Sequence, residues 1–298
     1  RAQVAEAFGA GEADIVFTSG ATEAAGLALA GRALHGAGVE HDCVRAWADE
    51  SLGVDADGRV MVDAPGQSVL QAANSETGIL QDLPQGLALT DAVQAFGKVP
   101  FAFSWSGAQM ALISAHKLGG PKGVGALVLQ RGLDVTAGIK GGGQEMGRRS
   151  GTENVVGIAG FGAAAAAAAR DLDDGVWERV AKLRNILEKA IEARSKGIIL
   201  VGKDVSRLPN TLCVIAPGWK GETQVMSMDL AGFAISAGSA CSSGKVKSSR
   251  VLQAMGYNED EASCAIRVSL GPENSEEDVL RFAEAWCSAY EKFRARAA

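Results

Sequence analysis

The sequence predicts an α/β fold with a large, mostly parallel sheet, because short apolar runs alternate with helical segments along the first half of the chain. Strand-like runs occupy residues 14–18, 69–73, 87–90, 110–114 and 124–129. Continuous apolar strands of this length are typical of sheets that carry helices on both faces. The chain has 298 residues, of which 47% are hydrophobic, so it can form one large domain or two ordinary ones.

The second half of the chain has a different pattern, which predicts a smaller α+β domain. A long helical region extends from Val155 through an alanine tract to Arg194. Strands at 197–201, 210–215 and 265–270, a helix at 223–231 and a last helix from Ser275 follow it. We therefore expect a large domain over residues 1–160 and a smaller C-terminal domain over residues 161–298.

Composition argues against several classes of partner. The formal net charge is -6, and no run of Lys or Arg is longer than a pair, so nucleic acid is not expected as the main partner. We also expect no membrane association, because no apolar stretch reaches the roughly 18 residues that a membrane span requires. The 5 cysteines are odd in number and form no Cys-x-x-Cys, which indicates neither disulfides nor a metal site. Free thiols predict a reducing, cytoplasmic location.

One cysteine differs from the others in its surroundings. Cys241 lies among small polar residues at 236–249, with Lys245 and Lys247 close by. This composition is typical of an exposed loop, which we expect to be mobile, and nearby lysines favour the thiolate form of a cysteine. Cys241 is therefore the candidate reactive thiol, while Cys43, Cys213, Cys264 and Cys287 fit better as small buried side chains.

Lys117 stands between two strand-like apolar runs, at the end of a Ser-Ala-His-Lys step and before a Gly/Pro-rich turn. We expect such a lysine to be shielded from water. Desolvation lowers the pKa of an ammonium group and makes the amine nucleophilic, as a lysine that forms a Schiff base with an aldehyde cofactor requires. A lone lysine beside Gly-Pro is more often a surface residue, so the other motifs decide this interpretation.

A strand, a glycine turn and a helix N-terminus occur together near the start of the chain. Residues 14–18 form the strand, Ser-Gly-Ala-Thr-Glu at 19–23 forms the turn, and a helix is expected over 24–34. Unpaired backbone N–H groups and the helix dipole make this arrangement suitable for a bound anion.

Seven motifs in this order resemble the cysteine desulfurase family, the NifS/IscS-like branch of the pyridoxal-phosphate (PLP) enzymes of fold type I. They are Ser-Gly-Ala-Thr-Glu (19–23), Glu-His-Asp (40–42), Ala-Asn-Ser-Glu-Thr-Gly (73–78), Thr-Asp-Ala-Val-Gln (90–94), Ser-Ala-His-Lys (114–117), the glycine- and arginine-rich block 141–154 and Ser-Ala-Gly-Ser-Ala-Cys (236–241). The resemblance covers nearly the whole chain. The His-Lys step and the block 141–154 are its most specific parts.

The resemblance implies a role at the cofactor ring for several residues. Lys117 would hold PLP as a Schiff base, and Asp91 would pair with the ring nitrogen. A carboxylate there keeps the ring protonated, which makes the ring an electron sink. Gln94 would reach the ring hydroxyl, and His41 would stack on the ring and move protons. Asn74 would lie beside both the cofactor and the substrate.

The resemblance also implies a phosphate cradle and a dimer. The backbone of Ala21 and the side chains of Thr22, Ser114 and His116 would bind the phosphate, since hydroxyls and N–H donors suit a dianion. Thr152 would reach the phosphate of the neighbouring subunit's cofactor. The active unit would therefore be a homodimer.

For the substrate, the resemblance implies L-cysteine, with its carboxylate held by Asn74 and Arg267. An arginine on an apolar strand needs an anion partner in any case, because an unpaired buried charge is costly. Cys241 would take the substrate's sulfur as a persulfide, releasing alanine. A sulfur-acceptor or scaffold protein, in the biosynthesis of iron–sulfur clusters or thio-cofactors, would then receive the sulfur.

The sequence departs from the family pattern at three places. The Asn-Ala-Thr-Thr segment and helix that usually precede the position of Arg1 are not in it. Residues 31–41 are too few for the usual strand, and residues 81–90 are too few for the usual helix. Either the protein is a compact variant or the native chain has further segments.

Two other functional classes stay open. One is another PLP enzyme, such as a selenocysteine lyase or an aminotransferase, and the other is a PLP-fold binding subunit without activity. Cys241 argues against a plain aminotransferase, which needs no thiol.

Overall fold

Two units make up the structure, a computed structural model that describes residues 1–238 and 248–297. The first unit comprises Arg1–Val54, Arg59–Asn74 and Leu80–Gly175, and the second comprises Asp55–Gly58, Ser75–Ile79 and Val176–Ala298. The boundary predicted near residue 160 falls inside a long helix that belongs to the first unit. The division instead follows Gly175, whose φ of 71° suits the turn between two helices.

The first unit is built around a five-stranded sheet. Its elements in chain order are α1 (Ala2–Ala7), β1 (Asp14–Thr18), α2 (Ala21–Leu29), β2 (His35–Ala37), α3 (Asp42–Arg45), β3 (Asp49–Leu52), β4 (Val69–Gln71), β5 (Leu89–Asp91), β6 (Met110–Ser114), β7 (Gly125–Leu129) and α4 (Val155–Asp173). The strand order is β1-β7-β6-β5-β4, and β4, β5 and β6 are parallel neighbours. Because β7 is antiparallel to both β1 and β6, it alone runs against the other four strands. The predicted α/β fold with a mostly parallel sheet is confirmed.

Two local predictions need correction. The helix expected over residues 24–34 begins earlier, at Ala21, and ends at Leu29, where Gly31 with its φ of 75° turns the chain. The stretch 31–41 also contains a strand, β2, although it was expected to be too short for one. Three residues suffice because β2 pairs with β3 in a separate two-stranded sheet. Between Gln81 and Ala88 the structure has no helix, as the spacing predicted.

The sheet register brings the candidate residues to one edge. Thr18 at the end of β1 and Ser114 at the end of β6 are both paired with Gly125 at the start of β7. Asp91 ends β5, which runs parallel to β6. The carboxyl ends of β1, β5 and β6 therefore meet at the same edge, where ligands bind in open α/β sheets.

A close backbone approach at this edge requires glycine. A Cβ atom on Gly125 would lie 2.8 Å from the backbone of Gly20, the residue that precedes α2. The start of β7 can therefore pass under the N-terminus of α2 only because residue 125 has no side chain. Small residues on α2, including Ala24, Ala25 and Ala28, are fully buried in the core and allow the same close packing.

Helix α4 is the one helix in the described part of the chain that is long and apolar enough to cross a membrane, and 28% of it is buried. This differs from the expectation that no stretch reaches that length. Core helices of globular proteins also meet this criterion. Phe161 and Ala165 are fully buried, and α4 packs against α1 within the first unit.

The second unit is a smaller α+β structure, as the second-half pattern predicted. Its elements in chain order are α5 (Val176–Arg194), β8 (Ile199–Leu200), β9 (Thr211–Ile215), α6 (Gly221–Leu230), β10 (Ser236–Ala237), α7 (Arg250–Ala254), α8 (Glu259–Ser263), β11 (Ala265–Ser269) and α9 (Glu276–Ala297). Its sheet is antiparallel in the order β10-β11-β9-β8. Helices α5 and α9 pack against each other, and Leu187, Val214 and Trp286 are among the buried residues of its core.

Candidate active site

Asp91 is a buried carboxylate at the carboxyl edge of the large sheet. Asp91 is the last residue of β5 and is 7% exposed. Its side chain accepts a hydrogen bond of 2.9 Å from the backbone nitrogen of Val93. Burial raises the pKa of this carboxyl, and the hydrogen bond from Val93 and the charges of His41 and Lys117 oppose that shift. Two groups that can carry positive charge therefore lie within electrostatic reach of Asp91.

His41 is held in a defined orientation at the start of α3. Its Nδ1 atom accepts a hydrogen bond of 3.2 Å from the backbone nitrogen of Cys43 and lies 3.0 Å from the Cys43 sulfur. Burial, with the negative charges of Asp91 and Glu40, raises the pKa of the Cys43 thiol to about 12. Since Nδ1 is an acceptor, the proton of the neutral imidazole is on Nε2.

The loop that carries His41 is fastened to the end of β4. Glu40 Oε1 accepts a hydrogen bond of 2.9 Å from the backbone nitrogen of Gln71, and Asn74 Nδ2 donates one of 3.0 Å to the carbonyl oxygen of Val39. Burial raises the pKa of Glu40 well above its usual range. These bonds bring Asn74, which follows β4, next to the residues that precede His41.

Lys117 lies in a short 3-10 helix, Ala115–Lys117, that connects β6 to β7. Both strands are fully buried, as predicted, but Lys117 itself is exposed in this chain. The expectation that it is shielded from water is therefore wrong for the chain as described. The reason is its position, because the connection leaves the sheet at the open edge instead of passing through the core.

The residues expected to cradle a phosphate are adjacent to this edge. Gly20 precedes α2 and no side chain caps the first turn of that helix, where Ala21 is half-buried and Thr22 is exposed. Ser114 Oγ lies 2.9 Å from His116 Nδ1. Burial and nearby lysine charges lower the pKa of His116. An uncapped helix N-terminus with hydroxyl and imidazole groups is a donor set that suits a phosphate dianion.

Gln94 and a buried lysine form a pair that the sequence analysis did not identify. Lys98 Nζ donates hydrogen bonds to Gln94, of 3.0 Å to the backbone oxygen and 3.3 Å to the side-chain Oε1. Lys98 is 7% exposed. The spacing of four residues between Gln94 and Lys98 within one short loop was the signal that could have revealed the pair.

Thr152 lies in an exposed loop of the first unit. The loop borders a cavity of about 110 Å³ that is also lined by Thr18 and Gly123. Nearby, Arg149 Nε donates a hydrogen bond of 2.8 Å to Glu23 on α2, which ties this loop to the helix at the phosphate cradle. The loop that carries Thr152 is therefore adjacent to the phosphate cradle, and Thr152 itself is exposed to solvent.

In the second unit, Arg267 is half-buried on β11. Its Nη1 donates a hydrogen bond of 2.8 Å to the carbonyl oxygen of Ser75, and its Nη2 donates one of 3.3 Å to Ser236 Oγ. Across residues 1–238 and 248–297, its buried Nε has no partner and no carboxylate pairs with it. The anion partner that the sequence predicted for Arg267 is therefore not found among the described residues, and its binding of a substrate carboxylate stays a prediction. Cys241 lies outside the described residues.

The residues of the first unit suit a PLP cofactor. A lysine amine, a buried carboxylate, a histidine with a fixed ring and an amide follow the ends of neighbouring strands, and the donor set around α2 suits a phosphate. The side-chain chemistry matches an aromatic aldehyde that carries a ring nitrogen, a hydroxyl and a phosphate.

Comparison with known proteins identifies the family to which the chain belongs. The family model of class-V aminotransferases matches residues 61–282. A cysteine desulfurase of Gluconacetobacter diazotrophicus is 38% identical, over 90% of this chain and 76% of its own length. The X-ray structure of a NifS-like protein from Rickettsia africae superposes with a TM-score of 0.88 at 31% identity, over 98% of this chain and 86% of the other. A structure of SspA in complex with cysteine superposes with a TM-score of 0.71 at 27% identity, over 92% and 86% of the two chains.

The family model covers well over half of the chain, and relatives above 30% identity are matched over most of their own length. These matches confirm the family and the fold type that the seven motifs predicted. The chain belongs to the class-V aminotransferase family and, within it, to the NifS/IscS-like cysteine desulfurases.

Proposed function

We propose that this protein uses PLP to convert L-cysteine to L-alanine and takes up the released sulfur on Cys241. The observation that carries the proposal is that His41 and Lys117 both lie within electrostatic reach of Asp91, which ends β5 at the carboxyl edge of the sheet. Membership of the cysteine desulfurase family supports the reaction. The cysteine bound in the related SspA structure supports the substrate.

Each part of the cofactor has a proposed partner in the first unit. Lys117 would hold PLP through its amine, Asp91 would bind the ring nitrogen and Gln94 the ring hydroxyl. When bound, PLP withdraws electrons from the carbon atoms of the attached substrate. The first turn of α2, with Ala21 and Thr22, and the Ser114–His116 pair would hold the phosphate.

The protein side chains then handle protons, orientation and sulfur. Arg267 and Asn74 would bind the substrate carboxylate, and His41 would exchange a proton through Nε2, because Nδ1 is already an acceptor. The Cys241 thiolate attacks the substrate sulfur, so that an S–S bond forms while the C–S bond breaks. The electron pair of that bond stays on carbon, which takes a proton and leaves as alanine, and no external oxidant is needed.

The proposed protein partners are a second copy of this chain and a sulfur acceptor. Thr152 is exposed, and the adjacent Val155 and Val156 on α4 are 69% and 86% exposed. An exposed apolar pair beside a residue expected to reach the neighbouring cofactor supports a homodimer interface. The persulfide on Cys241 would pass to an acceptor or scaffold protein in iron–sulfur cluster or thio-cofactor biosynthesis.

The test is incubation of the PLP-loaded protein with L-cysteine and a thiol reductant, with alanine and sulfide measured together. We expect the two products in equal amounts. Lys117→Ala should abolish both, and Cys241→Ser should retain the yellow colour of bound PLP but release no sulfide. Pyruvate in place of alanine, or sulfide from Cys241→Ser at the wild-type rate, would refute the proposed reaction. The same assay with selenocysteine distinguishes a lyase that prefers selenium.

A further inference from the structure

Lys98 is a buried charge to which the proposed reaction assigns no role. Among the residues that the structure describes, it is the only buried lysine. Burying an ammonium group is costly unless its protons are donated to acceptors. Here both acceptors with a defined distance belong to one residue, Gln94, through its backbone oxygen at 3.0 Å and its Oε1 at 3.3 Å.

The chemistry of the pair fixes the orientation of the Gln94 amide. An ammonium group has donors only, so the side-chain amide must turn its oxygen toward Lys98. The amide nitrogen, which carries two protons, is then directed away from Nζ and is left to donate elsewhere. Without Lys98 the amide could rotate by half a turn and present its oxygen instead.

The pair lies beside the candidate site, because Gln94 follows Asp91, the last residue of β5, by three residues and binds Lys98 directly. Burial and the charge of Lys117 lower the pKa of Lys98 to about 8. The charges of both lysines also act on His116. Lys98 therefore interacts electrostatically with two residues that are expected to bind the cofactor, Lys117 and His116, although Lys98 itself is buried.

We propose that Lys98 is a positioning residue for the cofactor, acting through Gln94. By holding Gln94 Oε1, it leaves the amide nitrogen free to donate a hydrogen bond to the ring hydroxyl oxygen of PLP. This inference rests on the proposed function. It adds a residue outside the seven motifs that controls which hydrogen-bonding group faces the ring.

The test is a double-mutant cycle on PLP binding with wild type, Lys98→Met, Gln94→Ala and the double variant. Methionine has a similar length and no donor. For each cofactor-free protein, the Kd of PLP is measured by titration, and the absorption maximum of bound PLP is recorded because it responds to hydrogen bonding at the ring hydroxyl. We expect Lys98→Met to raise the Kd about tenfold when Gln94 is present, and less than about twofold in Gln94→Ala.

Two further variants keep the test decisive. Lys98→Gln retains a donor without the charge and should raise the Kd less than Lys98→Met, and it also serves if the methionine variant does not fold. Glu12→Gln, at an exposed surface position, is the neutral control and should bind PLP as wild type does. An equal effect of Lys98→Met with and without Gln94, or a Kd and absorption maximum unchanged in Lys98→Met, would overturn the inference alone. A wild-type protein that binds no PLP would overturn the proposed function as well.

Discussion

The Nδ1 atom of His41 lies between two groups of Cys43, 3.2 Å from its backbone nitrogen and 3.0 Å from its sulfur. The backbone nitrogen can only donate, so Nδ1 must accept. The side chain that the motifs assign to proton transfer is therefore held in one tautomer by a cysteine two residues away. The same contact gives Cys43 a structural role, which separates it from the proposed sulfur carrier.

We expect the four described cysteines to resist alkylation. Cys43, Cys213, Cys264 and Cys287 are each at most 8% exposed, and burial is the main cause that raises the pKa of Cys43 and of Cys213 to about 12. Because only the thiolate reacts, iodoacetamide at pH 8 should label these cysteines at least about tenfold more slowly than a denatured control. Peptide mapping by mass spectrometry measures each rate. Cys241 should carry most of the label, and rapid labelling of Cys43 in the folded protein would contradict the structure.

Asp91→Asn should retain PLP but lose most of the activity. A neutral amide cannot keep the ring nitrogen protonated, and each unit by which the nitrogen's pKa falls corresponds to about 1.4 kcal/mol. We expect kcat to fall at least about tenfold while the Kd of PLP changes less. Steady-state kinetics and PLP titration measure the two quantities.

The matched control for Asp91→Asn is Asp82→Asn, in which the same atoms change on a side chain that pairs with Arg59 at the surface. It should leave kcat and the Kd of PLP unchanged. Wild-type turnover in Asp91→Asn would show that Asp91 does not hold the ring nitrogen.

The sequence predicted the strands of the large sheet better than its connections. Residues 14–18 and 110–114 were predicted with the bounds that the structure has, because continuous apolar runs there are flanked by turn residues. The short strand β2 was missed, since three residues carry too little pattern to predict pairing with β3. The exposure of Lys117 was missed for a related reason. The burial of the two flanking strands does not reveal whether the turn that connects them is covered by other residues or exposed to solvent.

The candidate site residues came from motifs, but their supporting contacts did not. Bonds such as Gln71 to Glu40 and Arg267 to Ser75 join residues far apart in the chain, and a single sequence gives no signal for such pairs. Lys98 was missed although it is near Gln94 in sequence, because a lysine is usually exposed. Its spacing from Gln94 allows the contact, and its burial and its two hydrogen bonds in the folded unit show it.

Lys98 should make the stability of the cofactor-free protein depend on pH. Its pKa is about 8 in the folded chain against an ordinary value of 10.5, so between these values the unfolded chain binds more protons. The free energy of unfolding therefore gains a contribution as pH rises from about 8 to 10.5, and loses it as pH falls through 8. Relative to Lys98→Met, wild type should gain up to about 3 kcal/mol between pH 7 and pH 10. Urea unfolding of both proteins at the two pH values measures this difference, in which the other titrating groups cancel. A difference that does not change with pH would mean that the ammonium is not desolvated.

Arg267→Lys should weaken substrate binding and leave cofactor binding intact. Lysine keeps the positive charge but loses the planar fork that binds a carboxylate through two parallel hydrogen bonds. Charged hydrogen bonds of this kind contribute about 1.5–3 kcal/mol, so the KM for L-cysteine should rise about tenfold to a hundredfold. The Kd of PLP should stay within about twofold of wild type, because none of the proposed cofactor contacts involves Arg267.

Part of the arginine's bonding is structural, since Nη1 donates to the carbonyl oxygen of Ser75, and the loss of that bond should lower the free energy of unfolding by about 1 kcal/mol. Arg250→Lys, at an exposed position on α7, makes the same chemical change and should alter none of these quantities. Steady-state kinetics with L-cysteine, PLP titration and urea unfolding separate the three effects. A KM for Arg267→Lys within twofold of wild type would show that the substrate carboxylate binds elsewhere.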